Sequence, residues 1–226
     1  MRTTAAIMAI ALVAGLAARA SAQECPNPRV IKTPPGTAVP ILDPPAPAAT
    51  VTLTVVDDGL GCNTISDVNV DLIIAHTWQG DLSAWVTHNG VTVSLINRPG
   101  EPSGIFGYSA DNYGNPATGV KFTLDDEAPG IYDRPPLGIG PNDTIGIANV
   151  SGPWQPDPGA DAGLPLLSAF DGMSKVGDWT LSVLDNAGGD TGTINNFGLT
   201  IGNVPEPASV GLLVVGALTL IRRRRA

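Results

Sequence analysis

Residues 177–185 read Gly-Asp-Trp-Thr-Leu-Ser-Val-Leu-Asp, and this stretch decides the fold class of the chain. Trp179, Leu181 and Val183 alternate with smaller or polar residues, which is the two-residue period of a strand with one buried face. Trp179 stands near the start of the strand, where a large ring can anchor a core between two sheets. The stretch therefore predicts a core strand of a β-sandwich.

The same alternation occurs elsewhere in the body of the chain. It is found in residues 51–56, 67–74, 82–86, 91–95, 120–124 and 197–201. His88-Asn89-Gly90 predicts a hairpin turn between two of these segments. The chain has 27 Gly and 21 Pro and is only 5% aromatic, which indicates many turns. With no helical period of useful length in the body, the sequence predicts an all-β fold.

Both ends of the chain indicate export. Arg2 precedes an apolar run at 5–16, and Ala20-Ser21-Ala22 is a small-residue cleavage site, so residues 1–22 are predicted to be a signal peptide. Residues 204–226 hold Pro205-Glu206-Pro207, an uncharged run at 208–221, and four arginines, namely Arg222, Arg223, Arg224 and Arg225. The run has 14 residues, whereas a membrane-spanning helix usually needs about 20.

This three-part tail resembles the PEP-CTERM sorting signals that exosortase-type enzymes recognise in bacteria with an outer membrane. The resemblance implies a transient contact with the inner membrane, an exosortase-type processing partner, and delivery to the cell surface or beyond. The alternative is a plain C-terminal anchor that carries Pro-Glu-Pro by chance.

The predicted mature body, residues 23–204, is strongly acidic. It has six basic and 20 acidic side chains, a formal net charge of −14. Such a surface repels nucleic acid and anionic lipid headgroups, so we expect no nucleic-acid partner. Residues 23–49 are rich in proline and are predicted to be an extended linker or an edge-covering arm. Cys25 and Cys62 lack metal-site spacing, and in an exported chain we expect them to form one disulfide.

Three stretches together resemble one family. Residues 76–82 read His-Thr-Trp-Gln-Gly-Asp-Leu, residues 177–185 follow about a hundred positions later, and residues 189–201 contain Gly-Asp-Thr-Gly-Thr-Ile and then Asn-Phe-Gly-Leu-Thr-Ile. In this order they resemble the P domain, also called Homo B, that follows the subtilisin-like catalytic domain of kexin and furin. The signature residues are His76, Gly80, Asp81, Leu82, Gly177, Trp179, Leu181, Asp185 and Gly192.

The resemblance implies a galactose-binding-like jelly-roll β-sandwich of about eight strands over residues 50–203. Two positions depart from the family pattern: Trp85 replaces a smaller strand residue, and the turn at 88–90 replaces Ser-Pro-x-Gly. For Trp78, Trp85 and Trp154 we expect packing or loop cover, with a carbohydrate platform as the alternative.

No catalytic arrangement is predicted in this chain. A subtilisin-like protease needs its Asp, His and Ser held together by a large α/β domain, for which the body has no room. His76 has the parity of the apolar positions 68–74 and is predicted to be a buried structural residue, and His88 is predicted to be a solvated turn residue. We therefore expect a non-enzyme, although the family name carries a serine endopeptidase label.

Calcium is the one cofactor that the sequence favours. Acidic residues crowd three predicted turns, and Ca²⁺ prefers several oxygen ligands. The alternative is that these carboxylates cap turns by accepting backbone N–H groups. The candidate ligands are Asp81, Asp125, Asp126, Asp185 and Asp190.

The function expected from the sequence is that of an exported P-domain module with a binding or structural role. One alternative is an accessory, stabilising subunit of a separate subtilisin-like protease. A weaker alternative, by analogy with other jelly rolls, is carbohydrate binding in exopolysaccharide.

Replacing Pro205-Glu206-Pro207 by three alanines should leave the precursor in the inner membrane, because the short apolar run alone does not direct further sorting. Fractionation of cells that express the native chain and the variant measures this. Unchanged release of the variant would mean that the tail is only an anchor.

Overall fold

The computed structural model describes Cys25 and residues 28–99, 112–131, 149–150, 152–157 and 166–204. Residues 26–206 form one compact unit. Residues 1–25 and 207–226 form a second, of which only Cys25 is described. The predicted signal peptide and tail motif therefore lie outside the described residues. Within the described part, no helix is long and apolar enough to cross a membrane.

The described residues form two β-sheets that pack face to face. The strands are β1 Arg29–Lys32, β2 Val39–Ile41, β3 Ala49–Val55, β4 Thr64–His76, β5 Leu82–His88, β6 Val91–Asn97, β7 Asn112–Tyr113, β8 Phe122–Leu124, β9 Asn149–Val150, β10 Gly177–Asp185 and β11 Gly192–Val204. Two short 3-10 helices lie at Gln79–Asp81 and Leu167–Phe170. The predicted all-β class is confirmed.

The larger sheet has the strand order β1-β11-β4-β7-β9, with β2 also paired to β11 and β8 to β4. The smaller sheet has the order β3-β10-β5-β6. The pairs are antiparallel except for β7 and β9, which run parallel. The described part has eleven strands, whereas the family resemblance implied about eight. Four of them, β1, β2, β7 and β9, have only two to four residues and are too short to show an alternation in the sequence.

The core lies between the sheets and is made by the inward-facing residues of the long strands. In β10, Trp179, Leu181 and Val183 are fully buried, as their alternation predicts. The ring of Trp179 stacks on His88 with centroids 3.8 Å apart and meets Phe170 edge-on at 4.9 Å. The indole Nε1–H donates to the carbonyl of Lys175 over 3.0 Å, so its polar atom is satisfied.

The proline-rich segment belongs to the larger sheet. β1 and β2 both pair with β11, Arg29 opposite Ile201 and Val39 opposite Ile194. The segment thus forms two short strands that pair along β11 at the edge of the larger sheet. Five of its eight prolines lie in the connections after β1 and after β2, where the missing N–H costs no ladder bond, and Pro40 lies within the edge strand β2.

Cys25 and Cys62 are disulfide-bonded, which confirms the predicted pair. Cys62 is fully buried in the loop between β3 and β4. The bond gives the proline-rich segment a covalent attachment beside its strand pairing.

Removing the disulfide with Cys25→Ala and Cys62→Ala should lower the free energy of unfolding by about 2–4 kcal/mol, because the bond closes a loop of 38 residues in the unfolded chain. Denaturant unfolding of the oxidised protein and the double variant measures the loss. Reductant should destabilise the native protein and leave the variant unchanged. An equal effect of reductant on both would contradict the assignment.

Candidate functional site

His76 lies at the end of β4 and joins the two sheets. Its side chain is fully buried. Nδ1 lies 2.7 Å from the carbonyl oxygen of Trp78, and Nε2 lies 3.2 Å from Oδ2 of Asp185 at the end of β10. Oδ1 of Asp185 accepts the Ala187 N–H over 3.1 Å. A buried ring held from both sides is a structural tie, as its parity predicts.

Gly192 is the residue that lets His76 take this position. The two residues are opposite each other in the β4–β11 pairing. A Cβ at Gly192 would collide with the His76 ring and would stand 2.7 Å from the Ala75 carbonyl oxygen. The His76 ring is buried and the Ala75 oxygen belongs to the backbone, so neither can move aside. Close packing therefore requires glycine at this signature position.

Three of the predicted carboxylates gather next to His76. Burial raises the pKa of Asp81 above its ordinary value, and the charges of Asp185 and Asp190 raise it further, against the lowering effect of Arg98 and His76. Asp190 accepts the Thr77 hydroxyl over 2.6 Å. We call Asp81, Asp185 and Asp190 the acidic group of the His76 end.

A cleft of about 590 Å³ opens beside this group. Its wall is formed at the ends of β4, β7 and β11 by Ala75, His76, Thr77, Asn112, Thr191, Gly192 and Thr193. Asn112 accepts the His76 backbone N–H through Oδ1 over 3.2 Å. Sequence analysis did not identify Asn112, because its place in the cleft depends on the two-residue strand β7.

The other two predicted ligands lie elsewhere and bind backbone groups. Asp126 accepts the N–H groups of Leu167 and Ser168 over 3.1 and 2.7 Å, so it caps the second 3-10 helix. Asp125 accepts the Glu127 N–H over 2.9 Å, and a side-chain hydrogen bond between the two raises the pKa of Glu127. The five candidate ligands therefore divide between two places.

Among the described residues, no three His, Cys, Asp or Glu side chains are arranged to hold a metal ion. Calcium binding stays a prediction, and the acidic group of the His76 end is where we would look for it.

The remaining signature residues have structural positions. Leu82 and Leu181 are fully buried, and the Gly80 carbonyl accepts the Arg98 Nε–H over 3.3 Å. Gly177 has a φ of 123°, which favours glycine at the start of β10.

His88 is buried, which corrects the prediction of a solvated turn residue. Its Nδ1 and Nε2 lie 3.0 and 2.7 Å from the carbonyl oxygens of Asp178 and Ser174. The turn itself comprises Asn89 and Gly90, both with positive φ. In the two-residue alternation of β5, His88 falls on the same face as the buried residues, and this pattern in the sequence could have predicted its burial.

Comparison with known proteins agrees with the resemblance seen in the sequence. Residues 159–201 match the family model of the proprotein convertase P-domain, and residues 203–225 match the PEP-CTERM protein-sorting motif. A PEP-CTERM motif implies export and membrane-associated sorting to the cell surface. No curated protein matches the chain.

Two solved structures are similar to this chain. One is a serine protease of Aeromonas sobria in complex with its chaperone, with a TM-score of 0.41, 14% identity, and coverage of 88% of this chain and 30% of that one. The other is a serine protease of Aeromonas sobria, with a TM-score of 0.39, 16% identity, and coverage of 83% and 28%. The chain spans less than a third of the length of either matched chain.

The substitution Asp81→Asn should stabilise the fold at pH 7. A carboxyl whose folded-state pKa is raised contributes stability below its unfolded pKa and loses it as pH rises through the folded value. The amide removes the repulsion from Asp185 and Asp190, so the melting temperature should rise by about 1–3 °C. Melting curves in chelator between pH 3 and pH 7 should show that this gain disappears at the acid end. Asp178→Asn, at the opposite end of β10, is the control, and a gain that does not vary with pH would contradict the assignment.

Asp126→Ala should lower the free energy of unfolding by about 1 kcal/mol, because two N–H groups lose their acceptor. The loss should be the same in calcium and in chelator. Glu127→Ala, an exposed neighbour, is the control. A loss that occurs only in calcium would make Asp126 a ligand instead of a cap.

Proposed function

We propose that this chain is an exported, non-catalytic P-domain protein that is sorted to the cell surface or extracellular matrix and acts there by binding a partner. The observation that carries the non-catalytic part is the state of the two histidines. Both rings are buried, and their contacts serve the fold.

A general base needs a ring nitrogen that can reach a substrate or a nucleophile. The ring of His76 contacts the Trp78 backbone and Asp185. The ring of His88 contacts two backbone carbonyls, Asn89 and two aromatic rings, one of them stacked and the other edge-on. Neither ring has a Ser or Cys side chain among these contacts. The pattern supports a module without hydrolytic chemistry of its own.

The binding surface that we favour is the solvent face of the smaller sheet. The strand register sets Thr52, Thr180, Thr87 and Thr92 in one row across all four strands. Neighbouring hydroxyls in this row are 3.0 and 2.9 Å apart at the two outer pairs. Half-buried Trp85 lies in the next row, opposite Ser182 and Ser94.

The chemistry of this face fits a neutral polysaccharide. An aromatic ring provides an apolar platform, and flanking hydroxyls both donate and accept hydrogen bonds. Asp178, which accepts the Thr54 hydroxyl over 2.6 Å, stands at one end of the face. On a body with a formal charge of −14, a face made chiefly of hydroxyls does not repel an acidic group on a polymer as the rest of the surface would.

Co-purification of the processed protein from its exporting cells tests the function. We expect a polysaccharide with the native protein and a clear loss of it with Trp85→Ala. Leu42→Ala, which truncates a 59% exposed residue away from this sheet, is the control and should retain the polymer. Recovery of a stoichiometric protease, with no effect of Trp85→Ala, would replace the proposal with that of an accessory subunit.

The accessory role is the second candidate, and the match to the proprotein convertase P-domain favours it. In this reading the partner is a subtilisin-like protease on a separate chain. Both proposals describe a protein without peptidase activity, and incubating the pure protein with peptide substrates tests this. Hydrolysis that survives further purification would overturn both.

A further inference from the structure

Lys175 is a fully buried lysine two residues before the start of β10. Lysine is almost never fully buried unless its amine has partners. Here Nζ donates to Oδ1 of Asn203 over 2.6 Å, and Oδ2 of Asp58 lies 3.5 Å away. An amine, a carboxamide and a carboxylate thus meet at one end of the sandwich, in an arrangement that the proposed function does not use.

Asn203 presents its carboxamide from a core position. It follows Phe197, Leu199 and Ile201 in the inward-facing series of β11 and is only 3% exposed. The β4–β11 register shifts between Gly202 and Asn203, so the strand is irregular at this point. The strand itself holds this carboxamide against the lysine amine, because Asn203 pairs with Ile65 of β4.

Asp58 supplies a carboxylate that faces both the lysine and water. It lies in the loop after β3, where Oδ1 accepts the Leu60 N–H over 3.0 Å and Oδ2 accepts from Arg29 over 2.8 Å. The Leu60 N–H, with smaller contributions from Lys175 and Arg29, lowers the pKa of Asp58. The carboxylate is ionised at neutral pH, and its Oδ2, at 3.5 Å from Nζ, is the acceptor nearest to the lysine ammonium that is also open to water.

We propose that Lys175 and Asn203 become joined by an intramolecular isopeptide bond, with Asp58 as the proton carrier. Asp58 takes one proton from the Nζ ammonium, and the neutral amine attacks Cγ of Asn203. A bond forms between Nζ and Cγ, and the bond between Cγ and Nδ2 breaks. Two protons leave Nζ, one of them by way of Asp58, and both pass to the departing nitrogen, which leaves as an ammonium ion, so that Asp58 ends as a carboxylate. No oxidant, reductant or other reactant is needed.

The fold supplies what this reaction lacks in solution. An isolated amine and amide react very slowly, but holding reacting groups in contact raises their effective concentration by many orders of magnitude. Burial also keeps water from competing at Cγ. Lys121 is the contrasting case within the chain, because it is 35% exposed and its partner is the carboxylate of Asp71, which offers no amide for exchange.

The bond would tie β10 of the smaller sheet to the last strand of the larger one. Asn203 stands two residues before Pro205, where the sorting tail begins. A pull on the tail would then reach the body through a covalent link and would not peel β11 away from its neighbours.

Peptide mass spectrometry of the purified full chain tests the proposal. After reduction, alkylation and chymotryptic digestion, we expect a branched peptide that contains both Lys175 and Asn203. Its mass should be lower than the sum of its two parts by about 17 Da, the mass of ammonia. Reduction removes the disulfide, so this bond does not contribute to the difference.

Lys175→Arg and Asn203→Ala should abolish the branched peptide, and Lys121→Arg should retain it. Asp58→Ala should slow its appearance at least tenfold in freshly synthesised protein. Two separate unmodified peptides from folded native protein would overturn the proposal, and this result needs no variant to fold. Unchanged linking in Asp58→Ala would overturn the role of Asp58.

Discussion

The pairing of β4 with β11 is the constraint on which the rest of the structure depends. Each strand has 13 residues, and their register runs from His76 opposite Gly192 to Thr64 opposite Val204. β1 and β2 attach to β11, and β7 and β8 attach to β4. Because side chains alternate with a period of two, a slip of one residue would turn the inward-facing residues of β11 to solvent. It would also destroy the close fit of Gly192 under the His76 ring.

Polar ties between the sheets stand at both ends of this ladder, with the apolar core between them. At one end His76 contacts Asp185, the last residue of β10, and at the other Lys175, just before β10, contacts Asn203. A buried polar group lowers the stability of the fold unless its partners are in place. These pairs therefore favour one arrangement of the two sheets, and this effect is larger than their contribution to the free energy of unfolding. The register of the long strands and the position of β10 are therefore mutually dependent.

The alternation of apolar residues was enough to predict the all-β class, the long strands and the burial of Trp179 and His76. It did not reveal β1, β2, β7 or β9, since two to four residues carry no period and these strands form only on a neighbour. His88 was misplaced because the turn chemistry of Asn89-Gly90 outweighed its parity. Asp126 was taken as a candidate ligand although it caps a helix 41 residues away, and no local pattern predicts such a partner. Lys175 is hidden for the same reason, because its partners come from distant parts of the chain.

The loop between β3 and β4 is linked, directly or through Lys175, to residues near both ends of the described body. Cys62 in this loop holds Cys25, and Asp58 holds Arg29 of β1 and approaches Lys175, which in turn contacts Asn203 near the end of β11. This loop is fixed by its own backbone, since the Gly59 and Leu60 N–H groups bind the side chains of Asp57 and Asp58. An acidic body gains little from surface ion pairs and is weakened by its own repulsion. Covalent attachment at the points where the chain enters and leaves would secure such a body at a cell surface without enlarging its core, because a cross-link acts on the unfolded chain and not on the packing.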